Sequence, residues 1–149
     1  MSSRKQIELP MGVQQIQEVL PHRYPMLLID KVLELTAEKS VVALRNVSIS
    51  DPILQGHFPG QPVLPGVMIV EGMAQAAGIL GRFSLDHLFK EVLLTEVSET
   101  RFRAKVVPGD TLLYKVCVEK KRGHFFWFQG QALVEDKVVA SAKFSAFIK

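Results

Sequence analysis

Only one cysteine, Cys117, occurs among the 149 residues, which excludes a disulfide within the chain and leaves packing to hold the fold. It lies in the alternating run LLYKVCVE, a strand pattern, with no neighbour that marks a reactive thiol. A strong charge of one sign is also missing. The net charge is +3 and the basic residues are thinly spread, with only Lys120, Lys121 and Arg122 forming a run, so nucleic acid is not the expected partner. The opening MSSRKQIELP carries charges but is followed by no apolar signal region or small-residue cleavage site, so a cytosolic or equivalent reducing compartment is expected. No apolar run is clean enough to cross a membrane. Val63 to Leu80 approaches the length, but Glu71 and Gln75 interrupt it and Pro65, Gly66, Gly72 and Gly78 loosen it, which reads as a buried core helix. Histidines 22, 57, 87 and 124 show no local metal-ligand spacing, and no glycine loop of the phosphate-cradling kind is found, so neither metal nor cofactor is expected. Repeats, low-complexity tracts and linkers are absent too, and residues 1–149 read as one domain.

What is present sorts by hydrophobic period. Val13 to Leu20 has helical spacing, broken by the prolines of PHRYP. Met26 to Leu35 and Ser40 to Ile49 read as strands, the second with Val41, Ala43 and Val47 on one face and Val42 and Leu44 on the other. Asp51 to Pro65 is a loop dense in proline and glycine, and Val67 to Phe83 is one long helix. After it, SLDHLFK reads as a turn or brief helix. From Glu91 onward the pattern is β, with turns at VVPGD, at KKRGH and at Glu135 to Lys137. Long strands, short turns and one dominant apolar helix imply an α+β fold, a curved antiparallel sheet wrapped around that helix. Gly72, Ala74, Ala76, Ala77, Gly78 and Gly81 keep the helix thin, so a sheet or a partner backbone can approach closely.

The segment HFPGQPVLPGVMIVEGMAQ, residues 57–75, sets a histidine in the Pro/Gly loop and one carboxylate in the apolar helix. Pro65 suits the first helical position, and the N–H groups that follow, beginning with Gly66, are unpaired donors at the positive end of the helix dipole. Glu71 lies five residues on, about 7 to 8 Å of rise, and its side chain leans back toward that end. A histidine able to take a proton near neutral pH, a carboxyl in apolar surroundings and a helix-end oxyanion site suit abstraction of a proton α to a carbonyl with loss of a β-hydroxyl. The plainer alternative is a hydrogen-bonding loop histidine and a glutamate that answers an arginine, since spacing alone does not bring side chains together. Arg101, Arg103 and Lys105 alternate in TRFRAKV. On a strand they share a face, either for an acidic partner or as a charged guard on a sheet edge.

The motif GHFPGQPVLPGVMIVEGMAQ, together with LPHRYPMLLIDKV at residues 20–32 and RFRAKVVPGDTL at 101–112, resembles the (3R)-3-hydroxyacyl-acyl-carrier-protein dehydratases of type II fatty acid synthesis. The resemblance covers most of the chain in the expected order and implies a hot-dog fold. It implies that His57 and Glu71 are the catalytic pair, that the Gly66 N–H faces the thioester carbonyl, and that His57 meets Glu71 of a second subunit across a dimer, commonly within a trimer of dimers. Acyl carrier protein, an acidic molecule, is the implied partner, with Arg101, Arg103 and Lys105 as its expected docking face and residues 120 to 122 as the rival cluster. No cofactor is implied, and the products serve lipid synthesis, phospholipid or lipid A. Gly72 departs from the pattern, since many relatives carry Ala after the glutamate; a slightly looser helix is the expected result. Alternatives are a dehydratase/isomerase, whose relatives place Asp at position 71, a hot-dog thioesterase or hydratase, and an acyl-binding module without turnover.

Overall fold

The computed structural model describes residues 7–85 and 91–149. Its elements are α1 (Val13–Val19), β1 (Lys31–Thr36), β2 (Ser40–Asn46), α2 (Ile53–Gly56), α3 (Gly66–Ser84), β3 (Val92–Phe102), β4 (Thr111–Arg122), β5 (Phe125–Val134) and β6 (Lys137–Ile148). The six strands form one antiparallel sheet in the order β1-β2-β4-β5-β6-β3. Most of the SLDHLFK stretch, where a turn or brief helix is expected, lies outside the described residues.

Strand alternation delivers the core. Leu112, Tyr114 and Val116 of β4, Phe126 and Phe128 of β5, and Ala142, Phe144, Ala146 and Ile148 of β6 are all buried on one face. Each large apolar side chain buried there contributes roughly 1.5 to 3 kcal/mol. Phe128 stacks on Phe126 and on Phe144 of the neighbouring strand at 5.7 and 5.4 Å between ring centres.

The sheet curves around α3. From Ile69 to Gly81 every residue of the helix except Glu71 is buried. Its glycines matter through what they leave out. A Cβ at Gly72 would overlap the Tyr114 hydroxyl and ring, and one at Gly81 would overlap the tip of Ile148. The helix therefore lies close on β4 and β6 at the cost of about 1 kcal/mol of helix propensity per glycine. At position 72 glycine is a packing requirement of Tyr114, which replaces the expectation of a merely looser helix.

Two strand boundaries differ from the reading of the sequence. The first strand begins at Lys31 rather than Met26, because the Leu28 N–H donates to Gln75 Oε1 (2.8 Å) and the Met26 carbonyl accepts from Gln75 Nε2 (2.7 Å). A side-chain amide on α3 thus occupies backbone groups that a sheet neighbour would otherwise take. The second ends at Asn46, and the Asp51 to Pro65 loop contains the single turn α2. On β2 the face bearing Val41 and Ala43 is the core face, but Arg45 shares it and is buried.

Candidate active site

His57 directly follows α2 in a tightly closed loop. Phe58 and Gln61 exchange backbone hydrogen bonds (3.0 and 2.9 Å), and the Val63 N–H donates to the His57 carbonyl at 2.8 Å. The ring is fixed as well. His57 Nδ1 lies 2.7 Å from the Val63 carbonyl oxygen, and Phe58 packs beside it with ring centres 4.0 Å apart. A carbonyl can only accept, so Nδ1 carries the proton in the neutral ring and Nε2 presents a lone pair. That is the tautomer a general base needs.

The loop is held by a largely buried ion pair that sequence reading missed. Asp51 Oδ2 pairs with Arg45 on β2, while Oδ1 accepts the Ile53 N–H at 3.1 Å and starts α2. Arg45 stands at a core-facing position of an alternating strand, and a cation there calls for an anion; that was the available signal.

α3 begins at Gly66, with Pro65 as its N-cap rather than its first helical residue. The Pro65 carbonyl accepts from Met68 and Ile69, which leaves the Gly66 and Val67 N–H groups at the free positive end of the helix. An open cleft of about 580 Å³ begins here, lined by His57, Gly66, Ile69, Phe102, Arg103 and Lys105 among others. Its size suits an extended small molecule. The Phe102 ring lies against Gly66, 2.7 Å from where a Cβ would stand.

Glu71 is not part of that lining. Its Oε1 accepts from Gln75 Nε2 at 3.0 Å and lies 3.7 Å from His22 Nε2, and the side chain keeps about a quarter of its exposure. Among the described residues no hydrogen bond or ion pair joins His57 to Glu71 within the chain. One protomer therefore brings together His57 and Gly66, and holds Glu71 apart on the next turns of α3. His22 and Gln75 were not singled out for this site from the sequence. Gln75 had a signal, standing four residues after Glu71 on the same helix face; His22 is brought in by tertiary folding and had none.

Of the candidate docking residues, Arg103 and Lys105 line the cleft and Arg101 does not. β3 ends at Phe102, so the alternation expected of one strand face does not extend through Lys105. All three are exposed, and among the described residues no ion pair engages them. The rival cluster is more occupied. Lys120 stacks over Trp127 at 4.8 Å, and Lys121 reaches Glu38 at 3.6 Å and the Ser84 carbonyl at 3.0 Å.

Residues 20–143 match the model of the FabA-like domain. The chain is 48% identical over 140 residues to the 3-hydroxyacyl-[acyl-carrier-protein] dehydratase FabZ of Campylobacter jejuni, covering 91% of this chain and 96% of that protein. It is 44% identical over 142 residues to the FabZ of Wolinella succinogenes, covering 91% and 94%. Among solved structures, the dehydratase heterocomplex ApeI:P from Xenorhabdus doucetiae aligns with a TM-score of 0.79 at 22% identity, covering 96% of this chain and 93% of that one. A Streptococcus pneumoniae hypothetical thioesterase with coenzyme A aligns at 0.62 and 13% identity, covering 79% and 84%. Those two likenesses speak to the fold alone.

Proposed function

The chain belongs to the FabA-like family and within it to the FabZ 3-hydroxyacyl-[acyl-carrier-protein] dehydratases, and from that premise we propose that it converts a (3R)-3-hydroxyacyl thioester on acyl carrier protein to the trans-2-enoyl thioester and water. The reaction is that of a hydro-lyase of fatty acid synthesis. His57 Nε2 removes a proton from C2, and the electron pair moves toward the thioester carbonyl, whose growing negative charge meets the Gly66 N–H and the positive end of α3. Glu71 gives its proton to the C3 hydroxyl, the C–O bond breaks, and water leaves as the C2–C3 double bond forms. Proton exchange with solvent returns His57 to its neutral form and Glu71 to its acid form.

The observation that carries this reading is the Val63 carbonyl at His57 Nδ1, which frees Nε2 as a base beside the first N–H groups of a helix. Glu71 enters from a second copy of the chain. Its separation from the His57 cleft favours this, and so does β3, an 11-residue strand at the edge of the sheet with Leu93, Leu94, Val97 and Phe102 exposed. An edge so apolar calls for cover. The site is then the partner's His57 with Glu71 of this protomer, twice per dimer, and a trimer of dimers is the larger assembly. Arg103 and Lys105 at the cleft, with Arg101 beside them, receive the acidic carrier in the cytosol.

Turnover of a (3R)-3-hydroxyacyl carrier thioester, followed by mass spectrometry for loss of water, tests the proposal. Wild type dehydrates, and His57→Ala and Glu71→Ala, still folded, lose about 10²-fold or more. Binding of the acyl carrier by wild type without release of enoyl product would make the site a binding site only.

A further inference from the structure

We infer that His22 is a positioning residue which, with Gln75, reserves one oxygen of Glu71 as a hydrogen-bond acceptor and so places the acidic proton on the other. The inference rests on Glu71 being the acid. Gln75 has no freedom to flip its amide. Its Oε1 must accept from the Leu28 N–H (2.8 Å) and its Nε2 must donate to the Met26 carbonyl (2.7 Å), so the group it turns to Glu71 Oε1 at 3.0 Å is an N–H.

His22 approaches the same oxygen from the loop after α1. That loop is clamped: Arg23 donates through Nη1 to the Leu20 and His22 carbonyls (2.8 and 2.7 Å) and through Nη2 to the Gln17 carbonyl (2.9 Å). His22 Nε2 comes to rest 3.7 Å from Glu71 Oε1, which a shift of about 0.5 Å turns into a hydrogen bond. The far ring nitrogen decides the tautomer. Nδ1 is buried and has no partner among the described residues, so a proton there would be an unpaired buried donor, whereas a proton on Nε2 points at a carboxyl oxygen. Burial, with Arg23 alongside, also lowers the His22 pKa against the raising influence of Glu71, which favours the neutral ring. Two N–H groups thus converge on Oε1. The carboxylic proton is left to Oε2, the oxygen free to face a substrate hydroxyl.

Three variants and one spectrum test this. His22→Leu should lower kcat about tenfold or more with KM within about twofold, and His22→Gln, which can carry an N–H to the same place, should recover to within about threefold of wild type. Wild-type kcat in His22→Leu, equal losses in both variants, or a rise in KM alone would overturn the proposal. Glu71→Gln, run in parallel, separates the two levels: its inactivity beside a fully active His22→Leu refutes the His22 role alone, whereas an active Glu71→Gln removes the acid role and the His22 proposal with it. Should the variants fold poorly, ¹⁵N NMR of histidine-labelled wild type at neutral pH still decides. The neutral Nε2–H tautomer of His22 supports the assignment, and an Nδ1–H or cationic ring contradicts it.

Discussion

At the scale of single residues, Gly72 and Tyr114 are a matched pair. The Tyr114 hydroxyl is fully buried, and it occupies the space that a side chain at position 72 would need. Gly72→Ala should therefore destabilise the protein by about 1 to 3 kcal/mol, the usual range for overpacking, despite the better helix propensity of alanine. In a Tyr114→Leu background the same change should cost less, and a double-mutant cycle by chemical denaturation measures the difference. Burial also pushes the Tyr114 pKa up from 10.0 to about 12, with Arg45 pulling the other way. The folded state thus holds a phenolic proton that the unfolded state loses above its ordinary value. The stability involved, about 3 kcal/mol in full, is present below pH 10 and is lost as pH rises from 10 through about 12. Denaturant midpoints at about pH 9 and about pH 11.5 should diverge more in wild type than in Tyr114→Phe; equal divergence would refute the assignment.

At the scale of elements, the loop that carries His57 depends on β2 through Arg45 and Asp51. Arg45→Met strands a carboxylate that is largely buried and should cost about 3 to 5 kcal/mol, while Arg45→Met with Asp51→Leu should recover much of it. If the single and double variants unfold at the same denaturant concentration, the pair does not hold the loop. The elements are also where the legibility of the sequence is clearest. The helix of α3 and the hairpins of β4 to β6 follow from local signals, a long apolar run in one case and alternation punctuated by PGD, RGH and EDK in the other. Strand alternation likewise gave the core face of β2. The start of β1 was not legible, because Gln75, nearly fifty residues away, captures the backbone of Met26 and Leu28. The docking alternation failed for a similar reason: β3 stops at Phe102, and Arg103 to Lys105 follow the rim of the cleft instead. In the candidate site, His57 and Gly66 were approachable through loop and helix-end chemistry. His22 was not, since it gains its meaning only from a contact across the fold, and Arg45 with Asp51 offered only the signal of a cation at a core-facing strand position.

For the whole molecule, the cleft and the basic residues around it make two different demands. If the carrier docks there, reversing charge at Arg101 and Arg103 should raise KM for a carrier-bound substrate far more than for a small thioester analogue; equal effects would remove these residues from docking. The proposed site depends on a second copy of the chain, because among the described residues no hydrogen bond or ion pair joins His57 to Glu71 within one protomer. Subunit mixing addresses this directly. In a dimer of one His57→Ala chain with one Glu71→Ala chain, one site lacks both groups and the other has both. Unfolding the two inactive variants together and refolding them in equal amounts should restore about a quarter of wild-type dehydration, since half of the dimers are mixed and each has one intact site. A mixture that stays as inactive as its parents, while mixed dimers are shown to be present, would contradict a site shared between subunits.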